Sequence, residues 1–333
     1  MNAMDLAVVS LVSLFDPLYI AFGWAMRFLY NLFDNYGLVI IVFTVVLRGL
    51  MIPLGVHQQK ATIKQQALQG ELMEIQRLHP NDKARQSELQ MELYKKHGAS
   101  PLSGCLPAIL QLLIIWPIFQ IFRAPLVRVM QVSTENITKI SDLLKAANLI
   151  SETDAKNAVT NNIPLINALN ASASSLGQVV SQGLIELRQF IDVEFLGMNL
   201  GLTPSWKPAD LFGAGQSDYL PLLVFPLLVV LSTLVQMRIS TMTMLNRKKK
   251  AEDKEREKLN PARAGQSPED RSESMMKSMN IMMPLFMLWT TFTMPAALGL
   301  YWIIGNIMMI TQSVLIYFLF TRKLEDKAHG HNG

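Results

Sequence analysis

The chain has 333 residues, of which 50% are hydrophobic and only 17% charged, with a formal net charge of +4 and a mean hydropathy of +0.25. Its apolar residues gather in runs of about 20, the length that carries a helix across a hydrocarbon core of roughly 30 Å, and this excludes an ordinary soluble domain. A single cysteine, Cys105, excludes an intramolecular disulfide, and the five histidines show no metal-ligand spacing, so no metal or other cofactor is expected.

The opening MNAMDLAVVSLVSLF has neither a basic n-region nor an A-x-A-like cleavage site, so it does not read as a removable signal and the chain is expected to be used from residue 1. In PLYIAFGWAMRFLYNLFD, Gly23, Arg27, Asn31 and Asp34 form one narrow polar stripe on an otherwise aromatic and aliphatic helix. With Asp16 as N-cap and Pro17 at the first helical position, the pattern predicts an amphipathic helix lying in the membrane interface within an external segment 1–36. An extra span is the alternative, and its stripe would need a protein partner.

Five transmembrane helices are expected, at 37–56, 102–123, 219–238, 281–294 and 298–320. The fourth is short, which predicts tilt-free packing or a locally thinned bilayer, and Pro295-Ala296-Ala297 joins it to the fifth as a tight hairpin. Between the first two spans, residues 57–101 read as a helical hairpin. One arm runs from His57 to Leu78, a break falls at His79-Pro80-Asn81-Asp82, and the second arm ends at His97-Gly98. Leu68, Leu72 and Ile75 share one face of the first arm, and Leu89 and Leu93 one face of the second. Residues 239–280 are charge-dense and Pro/Gly/Ser-containing, which reads as a solvated linker. Residues 124–218 form a partly helical insertion: ITKISDLLKAANLI and SQGLIELRQFIDVEFLGMNL are predicted to be helical, separated by Asn/Ser/Ala-rich sequence, and together to make a small cap on the outer face of the spans.

Lysine and arginine bias sets orientation. Residues 57–101 carry seven, residues 239–280 carry ten including Arg247 to Lys250, and the tail 321–333 adds Arg322, Lys323 and Lys327, whereas 124–218 has six against nine Asp/Glu. The amino terminus is therefore expected outside and the carboxyl terminus in the cytoplasm.

The residue that carries a mechanism is Arg48, twelve residues into the first span. A charge at the centre of a span costs about 2.5–3.5 kcal/mol on insertion scales and usually faces protein or a water-filled cavity. No acidic residue lies in any of the five expected spans to neutralise it. Snorkelling toward the nearby helix end is the bland alternative; the sharper one is a cation in a wet cavity that attracts a carboxylate arriving from elsewhere. Thr44, Gln111, Asn306 and Gln312 are polar residues able to share such a cavity, with Tyr301 and Trp302 as candidates to line it. The methionines from Met275 to Met294 suit a surface accepting varied apolar partners, although for each one alone ordinary packing is the simpler account. No Walker, HExxH, GxSxG or paired-carboxylate constellation is found, so no enzyme is expected.

The stretch NYGLVIIVFTVVLRGLMIPL, the glutamine-rich charged hairpin after it, then SPLSGCLPAILQ and finally GLYWIIGNIMMITQ resemble the YidC/Oxa/Alb family of membrane protein insertases in order, spacing and topology. The resemblance implies an all-α membrane protein whose five helices surround a hydrophilic groove open to the cytoplasm, with Arg48 at the position of the family's arginine and Gln111 and Trp302 among its lining. It also implies that the third and fifth spans form an apolar slide for an incoming helix. The cytoplasmic hairpin, with Lys60, Lys64, Arg77, Lys83 and Arg85, is implied to capture substrate or partners: nascent membrane proteins, the ribosome, the signal recognition particle receptor and the Sec translocon, but no DNA. A bacterial plasma membrane is expected, since no transit peptide is present. Among the departures from the family pattern, the glutamine of the second span is followed by Leu-Leu-Ile-Ile-Trp116-Pro117 rather than closely by Met-Pro-Ile, and an insertion stands at 124–218. The rival readings are a small-solute transporter or channel, against which the odd number of spans and the absence of a repeat between halves both count, and an assembly scaffold without insertion activity.

Overall fold

The structure, a computed structural model, describes residues 15–98, 106–213, 215–242, 281–282 and 284–318. These are largely helical. Two helices, Gln216–Ser240 and Ala296–Ile316, are long and apolar enough to cross a membrane, and the broken pair Tyr36–Leu50 and Ile52–Gln58 makes a third if counted as one span; Leu113–Arg123 is a shorter apolar helix. The expected second span at 102–123 and fourth at 281–294 lie partly outside the described residues, as do the linker from 243 onward, the methionines Met275, Met276, Met279 and Met283, and the tail. The chain divides into two compact units.

The first unit comprises Met1–Leu47, Leu112–Val229 and Leu288–Gly305. Its amphipathic helix runs Asp16–Phe33, with Phe15 rather than Asp16 in the N-cap position. Asp16 contributes instead as an acid in the first turn, where the helix dipole favours it. The buried residues are Tyr19, Gly23, Met26 and Tyr30, while Ile20, Trp24, Phe28 and Leu32 form the exposed apolar face. Of the expected polar stripe, Gly23 and Arg27 meet protein, while Asn31 and Asp34 are exposed. Gly23 lies so close to the 125–128 turn that an added Cβ would sit 2.2 Å from the carbonyl oxygen of Arg128, Arg27 donates to Gln131 Oε1 at 2.9 Å, and the guanidinium of Arg128 covers the Tyr19 ring at 4.5 Å.

The insertion at 124–218 is built differently from the sequence expectation. After the short helix Pro125–Arg128, its first long helix, Thr134–Ala146, begins where Ser133 caps the Asn136 N–H and buries Ile137, Ile140 and Leu144. The Asn/Ser/Ala-rich stretch is no spacer: it forms the helices Ile163–Ala171, opened by a proline in its first turn, and Ala173–Ser181, capped by Ser172. The segment 181–200, expected to be helical, contains a 3-10 turn at Leu187–Gln189 and an antiparallel hairpin pairing Glu194 with Asn199 and Phe195 with Met198. Two observations account for this. Ile191 and Val193 are fully buried while Asp192 and Glu194 are exposed, an alternation of period two. Leu196 and Gly197 both have positive φ (52° and 74°), as a two-residue primed turn requires.

This cap is fastened to the apolar helices by the backbone. Ala296 and Ala297, whose N–H groups open the last helix without intrahelical partners, donate to Leu202 O at 2.8 Å and Leu200 O at 2.9 Å. The Asp192 N–H donates to Tyr30 Oη at 3.0 Å, and the Phe195 ring fills the space where Gly37 lacks a side chain. Buried Asn162 donates its N–H to Arg123 O and accepts from Leu126 N–H at 3.1 Å, pinning the end of the Leu106–Arg123 helix.

The second unit comprises Arg48–Gln111, Val230–Met287 and Asn306–Gly333. Within it, Ile52–Ala67 and Gln69–Leu78 form one arm and Lys83–Lys96 a second. Asp82 caps the second arm by accepting from the Arg85 N–H, Gln86 ties back to the His79 carbonyl, and Gly98 stops the helix with φ +57°. Leu68 and Leu93 are buried, and Leu72, Ile75 and Leu89 half-buried, on the faces the two arms turn inward.

Candidate functional site

Arg48 lies in the last turn of the helix Tyr36–Leu50. Pro53 cannot donate to the Gly49 carbonyl, and the next turn is rebuilt by Met51 N–H donating to Arg48 O at 3.2 Å and Gly55 N–H to Met51 O at 2.9 Å. The helix therefore breaks just beyond the arginine, at a proline the sequence displays. Arg48 is half-buried with its Nε shielded from the surface, and so is the Nε2 of Gln58 on the following segment. Gln312 from the last helix lies over Gly55, where an added Cβ would meet its Nε2 at 2.2 Å.

Asn306 has a defined role: its Nδ2 donates to Ser232 Oγ and Thr233 Oγ1, both at 3.0 Å. It joins the helix Val224–Met242 to Ala296–Ile316, as polar side chains do between membrane helices. Gln111 is half-buried in the same unit. The second unit thus carries Arg48, Gln58, Gln111, Asn306 and Gln312; within it Asn306 is joined to Ser232 and Thr233, and Gln312 packs against Gly55. Gln58, Ser232 and Thr233 were not singled out in the sequence, where a lone glutamine in a glutamine-rich arm and hydroxyls in an apolar run carry little signal.

Thr44, Tyr301 and Trp302 belong to the first unit and are buried there at 0%, 0% and 4% exposure. The Thr44 hydroxyl donates to Ile40 O at 2.6 Å, so it is satisfied within its own helix. Trp302 Nε1 and Tyr36 Oη are buried without a hydrogen-bond partner among the described residues.

Of the basic hairpin residues, Arg77 grips Glu74 with two hydrogen bonds of 3.0 and 2.6 Å, which hold the Glu74 carboxyl below the usual carboxylate range. Arg85 pairs with Glu88 at 2.6 Å. Both arginines are exposed but matched by an acid on their own arm, while Lys83 is exposed at the start of the second arm. Lys60 and Lys64 lie in the first arm, with side chains outside the described residues.

Helices of span length, one of them broken by a proline beside a half-buried arginine, define a polytopic helical membrane protein. The chain belongs to the 60Kd inner membrane protein family, whose pattern matches residues 28–323, and it is a bacterial membrane protein. It is similar to a Bacillus anthracis protein named membrane protein insertase YidC 2, at 26% identity over 86% of this chain and 74% of that one. To the membrane protein insertase YidC of Caldanaerobacter subterraneus subsp. tengcongensis it is 24% identical over 88% of this chain and 90% of the relative. A shorter match, 38% identical, joins 29% of this chain to 18% of the YidC insertase of Syntrophus aciditrophicus, so this chain spans only a small part of that relative's length.

Proposed function

We propose that this chain is a membrane protein insertase that works without a nucleotide or a catalytic residue, through a hydrophilic groove open to the cytoplasm. The observation that carries the reading is Arg48, a half-buried cation placed just before a proline break in an apolar helix. Gln58, Gln111 and Gln312 in the same unit supply polar groups able to keep such a space wet. A nascent chain with a short hydrophilic tail enters the groove, where the cation and amides lower the cost of carrying the tail partway across. Negative charge in the tail helps: a pair 4 Å apart gains about 1 kcal/mol in bulk water and about 4 at an effective dielectric near 20. The apolar segment then leaves sideways into lipid along the third and fifth spans, driven by about 25 cal/mol per Å² of buried apolar surface.

In this reading five spans place the amino terminus outside and the carboxyl terminus in the cytoplasm. The hairpin 57–101 meets clients there, together with the ribosome, the signal recognition particle receptor and the Sec translocon as handing-over partners. The names of the similar proteins and the family match over residues 28–323 support the class of activity. The test is reconstitution of the full chain in liposomes with a single-span client bearing an acidic or a neutral tail. The expected result is insertion above that in empty liposomes, reduced by Arg48→Ala more strongly for the acidic tail than for the neutral one. Wild-type insertion no better than in empty liposomes overturns the insertase reading in favour of a scaffold.

A further inference from the structure

Within the first unit, a cavity of about 550 Å³ opens where three apolar helices end against the cap. Arg123 closes the Leu106–Arg123 helix, Tyr219 stands near the start of Gln216–Ser240, and Thr293 and Pro295 precede Ala296–Ile316. The cap supplies the remaining wall, including Asn161, Asn167 and Thr203. The ends of membrane helices lie at headgroup depth, where apolar bodies give way to polar partners.

The lining chemistry is one-sided. Among the described residues, Arg123 is the single charged side chain in the lining, no carboxylate lines it, and Arg123 makes no ion pair; its guanidinium rests 5.2 Å from the centre of the Phe119 ring, another wall residue. Asn167 spends its Oδ1 on Asn199 Nδ2 at 2.9 Å and keeps its amide N–H groups as donors. Thr203 and Tyr219 are wall residues with hydroxyls able to donate, and Ile163, Leu202 and Pro295 give an apolar side. One guanidinium among neutral donors matches one phosphodiester. With no carboxylate to hold an ammonium group, amides and hydroxyls suit a hydroxylated headgroup better than a cationic one, and the volume falls within the usual range for small-molecule sites.

We infer that this cavity binds the phosphoglycerol headgroup of an anionic phospholipid in the leaflet on the cap's side, so that the insertion at 124–218 serves as a lipid-reading module. This rests on the membrane-spanning character of the chain and not on insertase activity.

The test uses the purified full chain in a neutral maltoside detergent, with binding read by native mass spectrometry and by the rise in unfolding temperature. The probes are dihexanoyl-phosphatidylglycerol, dihexanoyl-phosphatidylcholine and inorganic phosphate. Saturable binding of the phosphatidylglycerol, about tenfold tighter than of the phosphatidylcholine and much tighter than of phosphate, is expected. Arg123→Gln should weaken it about tenfold, the loss of one charge-assisted hydrogen bond. Arg128→Gln, which alters an arginine outside the cavity, should leave it unchanged. Asn167→Asp guards against misfolding as an explanation, because it keeps the acceptor used by Asn199 while adding a negative charge, and it too should lose binding at wild-type stability. Equal binding of the two lipids, wild-type binding by both cavity variants, or phosphate binding as tightly as the lipid overturns the assignment.

Discussion

Replacing Gly23 by alanine tests whether the amphipathic helix is held by its protein contact. A Cβ at this position would lie 2.2 Å from the Arg128 carbonyl oxygen and 3.3 Å from its carbon, against an ordinary carbon-to-oxygen approach of about 3.3–3.6 Å. The obstacle is backbone, so the helix itself must retreat by about 1 Å, disturbing the burial of Tyr19, Met26 and Tyr30. Such overpacking costs about 1–3 kcal/mol, while alanine returns up to about 1 kcal/mol of helix propensity, leaving a net loss of up to about 2 kcal/mol. Gly177 provides the control in the same unit: it is exposed, sits within the helix Ala173–Ser181, and has nothing within 4 Å of an added Cβ. Gly177→Ala should therefore gain up to about 1 kcal/mol. Thermal unfolding of the detergent-solubilised chain, followed by tryptophan fluorescence, should rank Gly177→Ala above wild type and Gly23→Ala below it. A Gly23→Ala variant as stable as Gly177→Ala would show that the contact with the 125–128 turn does not hold the helix.

Asn162→Ala strands the Leu126 N–H, which is donated to the lost side chain in a buried setting; about 1–3 kcal/mol should be lost, and hydrogen exchange at Leu126 should rise. Leu196→Asn places a residue tolerant of positive φ at the hairpin turn, where Leu196 is 80% exposed at φ 52°, and should raise the unfolding temperature of the detergent-solubilised protein through a gain of about 0.5–1 kcal/mol. Asn306→Ala removes two interhelical hydrogen bonds; with about 0.6 kcal/mol for an average bond of this kind, a loss near 1 kcal/mol is expected, and the double-mutant cycle with Ser232→Ala and Thr233→Val should show coupling.

The parts of this structure that were legible in the sequence are those whose signals are local. Pro80 and Asp82 mark the break between the hairpin arms because one cannot continue a helix and the other caps the next. Pro53 carries an equally local signal, yet the apolar run 37–56 reads as one unbroken span, whereas the helix breaks just beyond Arg48. The segment around IDVEF reads as helical on its apolar content, although Ile191 and Val193 alternate with acids at the spacing of a strand. The Asn/Ser/Ala-rich stretch reads as a spacer because its residues are weak helix formers, and they are recruited into helices by the Ser172 cap and by burial of Ile163, Leu165 and Leu169 against the rest of the cap. Least legible was pairing at a distance. That Asn306 meets Ser232 and Thr233, or that Gly23 meets a carbonyl over 100 residues away, depends on how helices pack, and a polar residue in an apolar run looks the same whether it lines a cavity or bridges two helices.

The proposed groove requires that the space around Arg48 hold water while the exposed apolar positions beside it, Val46 and Leu50, face lipid. It is tested most directly in the Cys105→Ser background, with single cysteines placed at positions 46, 48, 50 and 312 and challenged in membranes with a water-soluble maleimide. Val46 and Leu50 are exposed apolar positions, 52% and 77%, so cysteines there should lie in hydrocarbon and stay unmodified, whereas those replacing Arg48 and Gln312 should react quickly. Protection at 48 and 312 equal to that at 46 and 50 would contradict a hydrated groove.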